Sequence, residues 1–238
     1  MIEKLSVLAL IPARWGSKGI PNKNIIDFLG KPLFVWSIES ASKSKYIDKV
    51  LLSTDSQFIA NIGLSFGADV PFLRPKNISQ DKSTTQEVIC HAIKFLEGTL
   101  NQQYDVIILL EPTSPLRTQN DIDDALEKLI DTKNATSLVS VGQAESQDRS
   151  IQFKISDGNF IMLPTNEQEF THSRRQDIKG NFYLDGTIYI SYIDTLLAKE
   201  TFVHEQTLAY LLPKWKTIEI DDEYDYEMAA ALGRKYLL

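Results

Sequence analysis

The sequence has one cysteine, Cys90, and three histidines in 238 residues. The single thiol excludes an intramolecular disulfide framework and a cysteine-rich zinc site, and it fits a reducing cytosol. His91, His172 and His204 are scattered without metal-ligand spacing, so no metal chemistry is assigned to them. No apolar run approaches the roughly 20 residues that a membrane span needs. Residues 1–14 do not read as a signal peptide. Their apolar run is short, follows Glu3, and leads into Pro12 and Arg14 rather than a small-residue cleavage site. Positive charge is also scarce. Lys and Arg number 25 against 32 Asp and Glu, a net charge of −7, which argues against general nucleic-acid or anionic-membrane binding. Internal repeats and low-complexity linkers are absent. What is present is ordinary: 43% hydrophobic and 24% charged residues. Disorder, collagen and coiled coil are therefore excluded as whole-chain descriptions.

The apolar run at 5–11 reads as a buried parallel strand that ends in a Gly/Pro-rich loop over 12–24. Residues 32–43 read as a helix carrying Leu33, Trp36, Ile38 and Ala41, and 49–54 as a second strand ended by Asp55. A helix over 56–66 places Phe58, Ile59, Ile62 and Phe66 on one side. A short strand follows at 70–73. The next helix spans 83–98 and begins at Ser83, with Glu87 one position later than a capping box requires. A strongly apolar strand at 105–110, a helix at 121–133 and a strand at 137–141 complete a β-loop-α repeat, the sign of βαβ units on a parallel sheet. From Gln143 the texture turns polar. Asp157-Gly158 between alternating runs predicts a hairpin of 151–155 with 159–163, and Asp185-Gly186 predicts a second, of 181–184 with 187–191. A strand at 217–220 and a helix at 224–236 close the chain. The expected fold is α/β: a Rossmann-like, mostly parallel sheet flanked by helices. It forms one domain over 1–238 with an inserted β-rich arm near 143–190.

The most informative segment is the loop after the first strand, Pro-Ala-Arg-Trp-Gly-Ser-Lys-Gly-Ile-Pro-Asn-Lys-Asn, from Pro12 to Asn24. It leaves a buried strand at its carboxyl end, where open α/β sheets bind ligands. Gly16 and Gly19 let backbone N–H groups approach a ligand closely. Between Ile11 and Lys31 there are four basic residues, Arg14, Lys18, Lys23 and Lys31, against one acid, Asp27. A local net +3 on an acidic chain, with Ser17 as a further donor, suits a triphosphate. The loop is neither a Walker A sequence nor a dinucleotide fingerprint. A basic, Gly-rich surface loop is the competing reading.

These residues resemble a family. The run from Arg14 to Asn24 is similar to the signature loop of the CMP-sialic acid synthetases, the N-acylneuraminate cytidylyltransferases. The resemblance continues along nearly the whole chain, through Ser53-Thr54-Asp55, Phe72-Leu73-Arg74-Pro75, Pro112-Thr-Ser-Pro-Leu-Arg117, Arg175-Gln-Asp and Gly186-Thr-Ile-Tyr-Ile190. It implies a fold of the nucleotide-diphospho-sugar transferase type whose arm serves dimerisation. It also implies a cytoplasmic, homodimeric enzyme that uses CTP and an acidic nine-carbon sugar of sialic or legionaminic type.

The implied roles follow position by position. Arg14, Gly16, Ser17, Lys18, Lys23 and Asn24 would hold the CTP phosphates. Arg74 would read the cytosine with help from Ser83 and Thr85. Glu111, Arg175, Tyr189 and Phe202 would face the sugar. Asp221 and Glu219 would ligate Mg²⁺ or Mn²⁺, and Arg14, Lys18, Lys23 and Asp221 would carry the chemistry. The base that deprotonates the sugar hydroxyl stays open between Asp221 and a metal-bound water. Asp222, Glu223 and Asp225 read equally as the acidic first turn of a helix, and Tyr189, between Ile188 and Ile190, equally as a packing residue. This chain departs from the family's usual residues with Trp15 for Gly, Glu111 for Gln and Asp185 for Asn, mostly on the sugar side. Alternatives are a same-fold nucleotidyltransferase for another acid sugar (pseudaminic acid, Kdo) and a non-catalytic nucleotide-binding homologue.

Overall fold

A computed structural model describes residues 5–17, 19–143, 154–155, 161–162 and 182–238. The strands are β1 (Val7–Pro12), β2 (Asp27–Phe28), β3 (Lys31–Pro32), β4 (Lys49–Ser53), β5 (Val106–Leu109), β6 (Ser137–Gln143), β7 (Lys154–Ile155), β8 (Ile161–Met162), β9 (Phe182–Tyr192) and β10 (Thr207–Leu211). The helices are α1 (Leu33–Ser42), α2 (Gln57–Ser65), α3 (Thr85–Leu100), α4 (Gln119–Asp131), α5 (Ile193–Lys199) and α6 (Glu223–Tyr236). The main sheet runs β10-β6-β9-β5-β1-β4. All its pairings are parallel except those of β9, which is antiparallel to both β5 and β6.

Both faces of this sheet are covered, and the strand period of two assigns each residue to a side. In β1, Val7, Ala9 and Ile11 face the layer built from Phe34 and Ile38 of α1, Ile59 of α2 and Leu126 of α4. Leu8 and Leu10 face Ile89, Ile93 and Leu96 of α3 and Leu196 of α5. In β5, Val106 and Ile108 point to the first layer and Ile107 and Leu109 to the second. A smaller cluster beyond the sheet packs Phe28, Leu33, Leu116 and Ile220 against Ala229 and Ala230 of α6.

Most expected elements are present within a residue or two, and β7 pairs antiparallel with β8, as the first predicted hairpin requires. The remainder of the segment 144–181 lies outside the described residues. Five expectations fail. Asp185-Gly186 is no turn: both residues lie inside the eleven-residue strand β9, in the middle of the main sheet. Gly186 has φ +74° and the register against β6 shifts between Val139 and Val141, so the dipeptide forms a bulge. The Asp185 carboxylate accepts the Thr187 N–H at 2.9 Å and the Ser140 hydroxyl, and Ser140 Oγ in turn accepts the Ile188 N–H at 2.8 Å. Side chains thus replace the ladder bonds that the bulge breaks. Residues 182–190 accordingly belong to the sheet rather than to an arm.

Residues 70–73 form no strand. Only Asp69 bridges, to Leu51, and the chain then turns away. Residues 217–220 likewise form no strand: Thr217 closes the short helical turn Lys214–Lys216 and the rest pairs with no strand. The helix cap at the start of α3 is Thr84, not Ser83. Its Oγ accepts the Glu87 N–H at 3.2 Å and the Glu87 carboxylate accepts the Thr84 N–H at 2.7 Å, which restores the capping-box spacing. Phe58 is 55% exposed and Phe66 39%, so α2 packs through Ile59, Ala60 and Gly63 instead.

Arg117 ties three elements together. It is 3% exposed, and its Nη1 donates to the Thr187 carbonyl of β9 at 2.5 Å while Nη2 donates to Ser37 Oγ of α1 at 2.6 Å. Nη2 also reaches the Glu111 carbonyl at 3.4 Å. Replacing Arg117 with Met keeps the aliphatic stem but leaves these acceptors buried and unmet. The expected cost is about 3 kcal/mol, read from the urea unfolding midpoint.

Candidate functional site

The carboxyl ends of β1, β4 and β5 converge on one side of the sheet, and the loops that leave them enclose a cavity of about 350 Å³. The first loop is pinned at both ends. Ala13 N–H donates to the Ser53 carbonyl at 3.0 Å, and Asn24 Nδ2 donates back to the Arg14 carbonyl at 2.8 Å. Arg14, Gly16, Ser17, Lys23 and Asn24 all line the cavity. Asn24 is 8% exposed and is committed to Arg14, so its amide shapes the loop.

The far wall is the unpaired segment before α6. Lys23 Nζ donates to the Ile220 carbonyl at 2.7 Å and to Asp221 Oδ1 at 2.8 Å. Gly19 lies so near that a Cβ there would stand 2.2 Å from the Asp221 carbonyl oxygen, so this crossing admits no side chain. Ile220 N–H is held by the Thr113 carbonyl at 2.8 Å, and Thr113 Oγ1 donates to Glu219 Oε1 at 3.0 Å. Loop groups on two sides satisfy the backbone of this segment, with no partner strand. Asp222 and Asp225 cap α6: Asp222 Oδ1 accepts the Asp225 N–H at 2.9 Å, and the Asp225 carboxylate accepts the Asp222 N–H at 3.3 Å. Of the acidic run, Glu219 and Asp221 line the cavity, while Asp222 and Asp225 serve the helix end.

Arg74, Ser83 and Thr85 form the third wall. Arg74 is 5% exposed, its N–H donates to the Thr54 carbonyl at 2.7 Å, and its Nε donates to Ser79 Oγ at 3.1 Å. Burial lowers its pKa, opposed by the charge of Asp55. Arg14 pairs with Asp81 at 2.6 Å across the mouth.

A second cavity of about 340 Å³ adjoins the first and shares Thr85, Glu111 and Glu219 with it. Tyr189 and Phe202 line it and pack on each other, with ring centroids 5.4 Å apart. Burial pushes the Tyr189 hydroxyl up to about 12, so it stays a neutral donor. Among the described residues, the charged groups of this second cavity are all acidic: Glu111, Glu200 and Glu219. Burial, followed by the neighbouring Glu219 charge, raises Glu111 to about 7, against the pull of Arg117, Arg74 and Lys23. Burial and the Asp221 charge raise Glu219 as well, while its hydrogen bond from Thr113 lowers it. Gly186 of the bulge is the floor beside Glu219: a Cβ there would lie 2.9 Å from Glu219 Oε2.

The structure therefore brings together Arg14, Gly16, Ser17, Lys23, Asn24, Arg74, Ser83, Thr85, Glu111, Glu219 and Asp221 around one cavity, and Tyr189 and Phe202 around its neighbour. Lys18 and Arg175 lie outside the described residues. Among the described residues, no group of three or more His, Cys, Asp or Glu side chains is arranged to hold an ion unaided. Sequence reasoning did not single out Thr113, Asp81 or Glu200. Thr113 lay in plain view within the Pro-Thr-Ser-Pro block, whereas Asp81 and Glu200 sit in polar loops with no local signal.

The sequence model described as Cytidylyltransferase matches residues 8–205. A pseudaminic acid cytidylyltransferase of Campylobacter jejuni is 33% identical over 94% of this chain and 95% of its own length. A CMP-N,N'-diacetyllegionaminic acid synthase of Legionella pneumophila is 32% identical over 96% of both chains. An N-acylneuraminate cytidylyltransferase of Escherichia coli is 31% identical over 98% of this chain but 53% of its own length. Among solved structures, a CMP:2-keto-3-deoxy-manno-octonic acid synthetase complexed with CTP superposes with a TM-score of 0.65 at 16% identity, covering 97% of this chain and 99% of that one. A 4-diphosphocytidyl-2C-methyl-D-erythritol synthase of Anaerococcus prevotii gives 0.62 at 14% identity, over 97% and 99%. Likeness at that identity speaks to the fold, and no helix among the described residues is long and apolar enough to cross a membrane.

The raised Glu111 carboxyl makes stability depend on pH. An unfolded glutamate releases its proton near 4.5, whereas the folded one keeps it to about 7, so the native state binds more protons in between. This contribution is complete below pH 4.5 and is lost as pH rises through 7. Glu111→Gln removes it. In metal-free buffer without nucleotide, the variant should gain about 2 kcal/mol on the wild type between pH 5 and pH 8, measured by urea unfolding.

Proposed function

The chain belongs to the cytidylyltransferase family and is a nucleotidyltransferase, and we propose that it couples CTP to the anomeric hydroxyl of a nonulosonic acid of sialic or legionaminic type, giving the CMP-sugar and pyrophosphate. The observation that carries this reading is the pair of adjoining cavities. One is lined by the cations Arg14, Lys23 and Arg74, the other by Tyr189, Phe202 and carboxyls, and the two meet at Thr85, Glu111 and Glu219. A triphosphate fits the first and a polar sugar ring the second, which puts the α-phosphorus at the junction.

The sugar hydroxyl gives up its proton to Asp221 or to a water beside it and attacks the α-phosphorus in line; the new P–O bond forms, and pyrophosphate departs with the electrons of the broken one. Negative charge grows on the phosphoryl and leaving oxygens. Arg14, Lys23, Ser17 and the loop amides near Gly16 stabilise that charge from fixed positions, and Lys18 joins them in this reading. Arg74, with Ser83 and Thr85, holds the base. Arg175 joins Glu111, Tyr189 and Phe202 on the sugar. No protein nucleophile is needed.

Glu219 and Asp221 offer two carboxylates on the cavity wall, beside the space for the phosphates. Mg²⁺ takes one or two carboxylates and completes its shell with phosphate oxygens and water, so this donor set fits it, or Mn²⁺. When bound, the ion supplies charge neutralisation at the phosphates. Within this reading, Lys23 holds Asp221 in place through the 2.8 Å contact until the nucleotide enters. A cytoplasmic homodimer belongs to the same proposal, resting on the resemblance alone. Relatives named for pseudaminic, legionaminic and sialic acids lie within a few per cent of one another in identity, so the sugar preference needs a direct assay.

Lys23→Ala and Asp221→Ala should each lower pyrophosphate release from CTP by at least about 100-fold; the exposed Asp221 should leave the unfolding midpoint nearly unmoved, whereas loss of the Lys23 contacts should cost about 1–2 kcal/mol of stability without unfolding the chain. Near-wild-type turnover in both would remove the site assignment. A release panel with CTP and sialic, legionaminic, pseudaminic and Kdo acids should show turnover with the first or second. Release with Kdo alone would overturn the sugar class.

A further inference from the structure

Trp15 sits inside the nucleotide loop, between the two cavity-lining residues Arg14 and Gly16, but its ring points away from the cavity. The indole stands edge-on to Phe58 of α2, with centroids 5.9 Å apart and planes at 85°. Both rings are open to solvent, at 41% and 55% exposure. The backbone of the same residue is held separately, since its N–H donates to Asp55 Oδ1 at 2.9 Å. Beyond it the packing stops: a Cβ placed on Gly16 would meet no atom within 4 Å. Trp15 is thus the last residue with a side-chain partner before the loop reaches the space for the phosphates.

An exposed tryptophan in a loop costs entropy to order, and an edge-to-face ring pair is one of the few surface contacts able to offset it. Asp55 lies in the connection from β4 to α2 and Phe58 in the first turn of α2, and Thr54 of the same connection positions Arg74 through its carbonyl. The pair therefore couples the loop to the wall that carries Arg74. We propose that Trp15 is a positioning residue: its contact with Phe58 pre-orders the loop from Arg14 to Ser17 in the conformation that receives the nucleotide phosphates. Where Gly stands in that loop, no such anchor exists, and the ordering cost falls on the bound nucleotide. The proposal rests on the CTP reading for its kinetic consequence but not for the loop ordering itself.

The test uses the full chain with Trp15→Ala, Phe58→Ala, the double variant and Trp15→Phe. Amide hydrogen exchange of the ligand-free proteins should rise about three- to tenfold over residues 13–17 in either single variant. The KM for CTP in pyrophosphate release should rise by the same factor with kcat within about twofold, because the anchor acts before chemistry. The double variant should be no worse than either single one, and Trp15→Phe should recover most of the loss. Unchanged loop exchange in Trp15→Ala overturns the proposal, as does a double variant whose effects multiply. A lowered unfolding midpoint with unchanged exchange and KM would make the pair merely structural and overturns it too. If the wild type neither binds nor turns over CTP, the functional reading fails, and loop exchange still judges the anchor.

Discussion

Everything around the site hangs on the clasp between the first loop and the segment before α6. One ammonium group, Lys23 Nζ, holds both a backbone carbonyl and a carboxylate of that segment, and Gly19 lets the two chains touch at backbone distance. The segment has no partner strand, so its position is decided by what grips it: Lys23 on one side, Thr113 on the other. Its upstream end is fixed by Lys216, 9% exposed, whose ammonium reaches the Asp121 carboxylate at 2.6 Å and Thr118 Oγ1 at 3.1 Å. Charged groups buried in this way are costly unless every partner is met, and here the partners lie far off in sequence: the start of α4 for Lys216 and the segment before α6 for Lys23. The cavity is consequently a product of cross-links between loops, with the strands supplying only their starting points.

The charge pattern follows the same logic. An acidic chain concentrates cations in one loop and adds Arg74 from another. The carboxyls of the adjoining cavity are kept tolerable by burial, which raises Glu111 and Glu219 toward their neutral forms, and by a hydrogen bond from Thr113. A net negative chain can still present a locally cationic cavity, because screening confines each field to about 10 Å.

Much of this was legible beforehand, because the relevant signals are local. Continuous apolar runs mark β1 and β5, and helical spacing marks α1 and α4. The loop from Arg14 to Asn24 concentrates glycine and cations over a few residues, and eight further candidate positions fell along two adjoining cavities. The failures share a cause as well. Asp185-Gly186 has turn chemistry, but β9 is inserted between β5 and β6 and is hydrogen-bonded on both edges, so the local preference was spent on a bulge. Residues 70–73 and 217–220 have strand composition, but the first leaves the β4 edge after the single Asp69–Leu51 bridge, and the second is held by Thr113 and Lys23 rather than by a strand. Phe58 belonged, by spacing, to the packed face of α2, and instead left it to meet Trp15.

What the sequence by itself determined is the α/β class, the glycine-rich cationic loop and the acidic cap of α6, because composition, period and spacing act within a few residues. What only the tertiary structure decided is which distant residues meet. Lys23 came to clasp Asp221 and the Ile220 carbonyl, Glu219 came under the Thr113 hydroxyl, and Glu111 came to stand where two cavities meet. Those outcomes depend on contacts between residues up to 198 positions apart, such as Lys23 with Asp221. No local preference encodes such distances, since only burial and the demand that every buried polar group find a partner select among them.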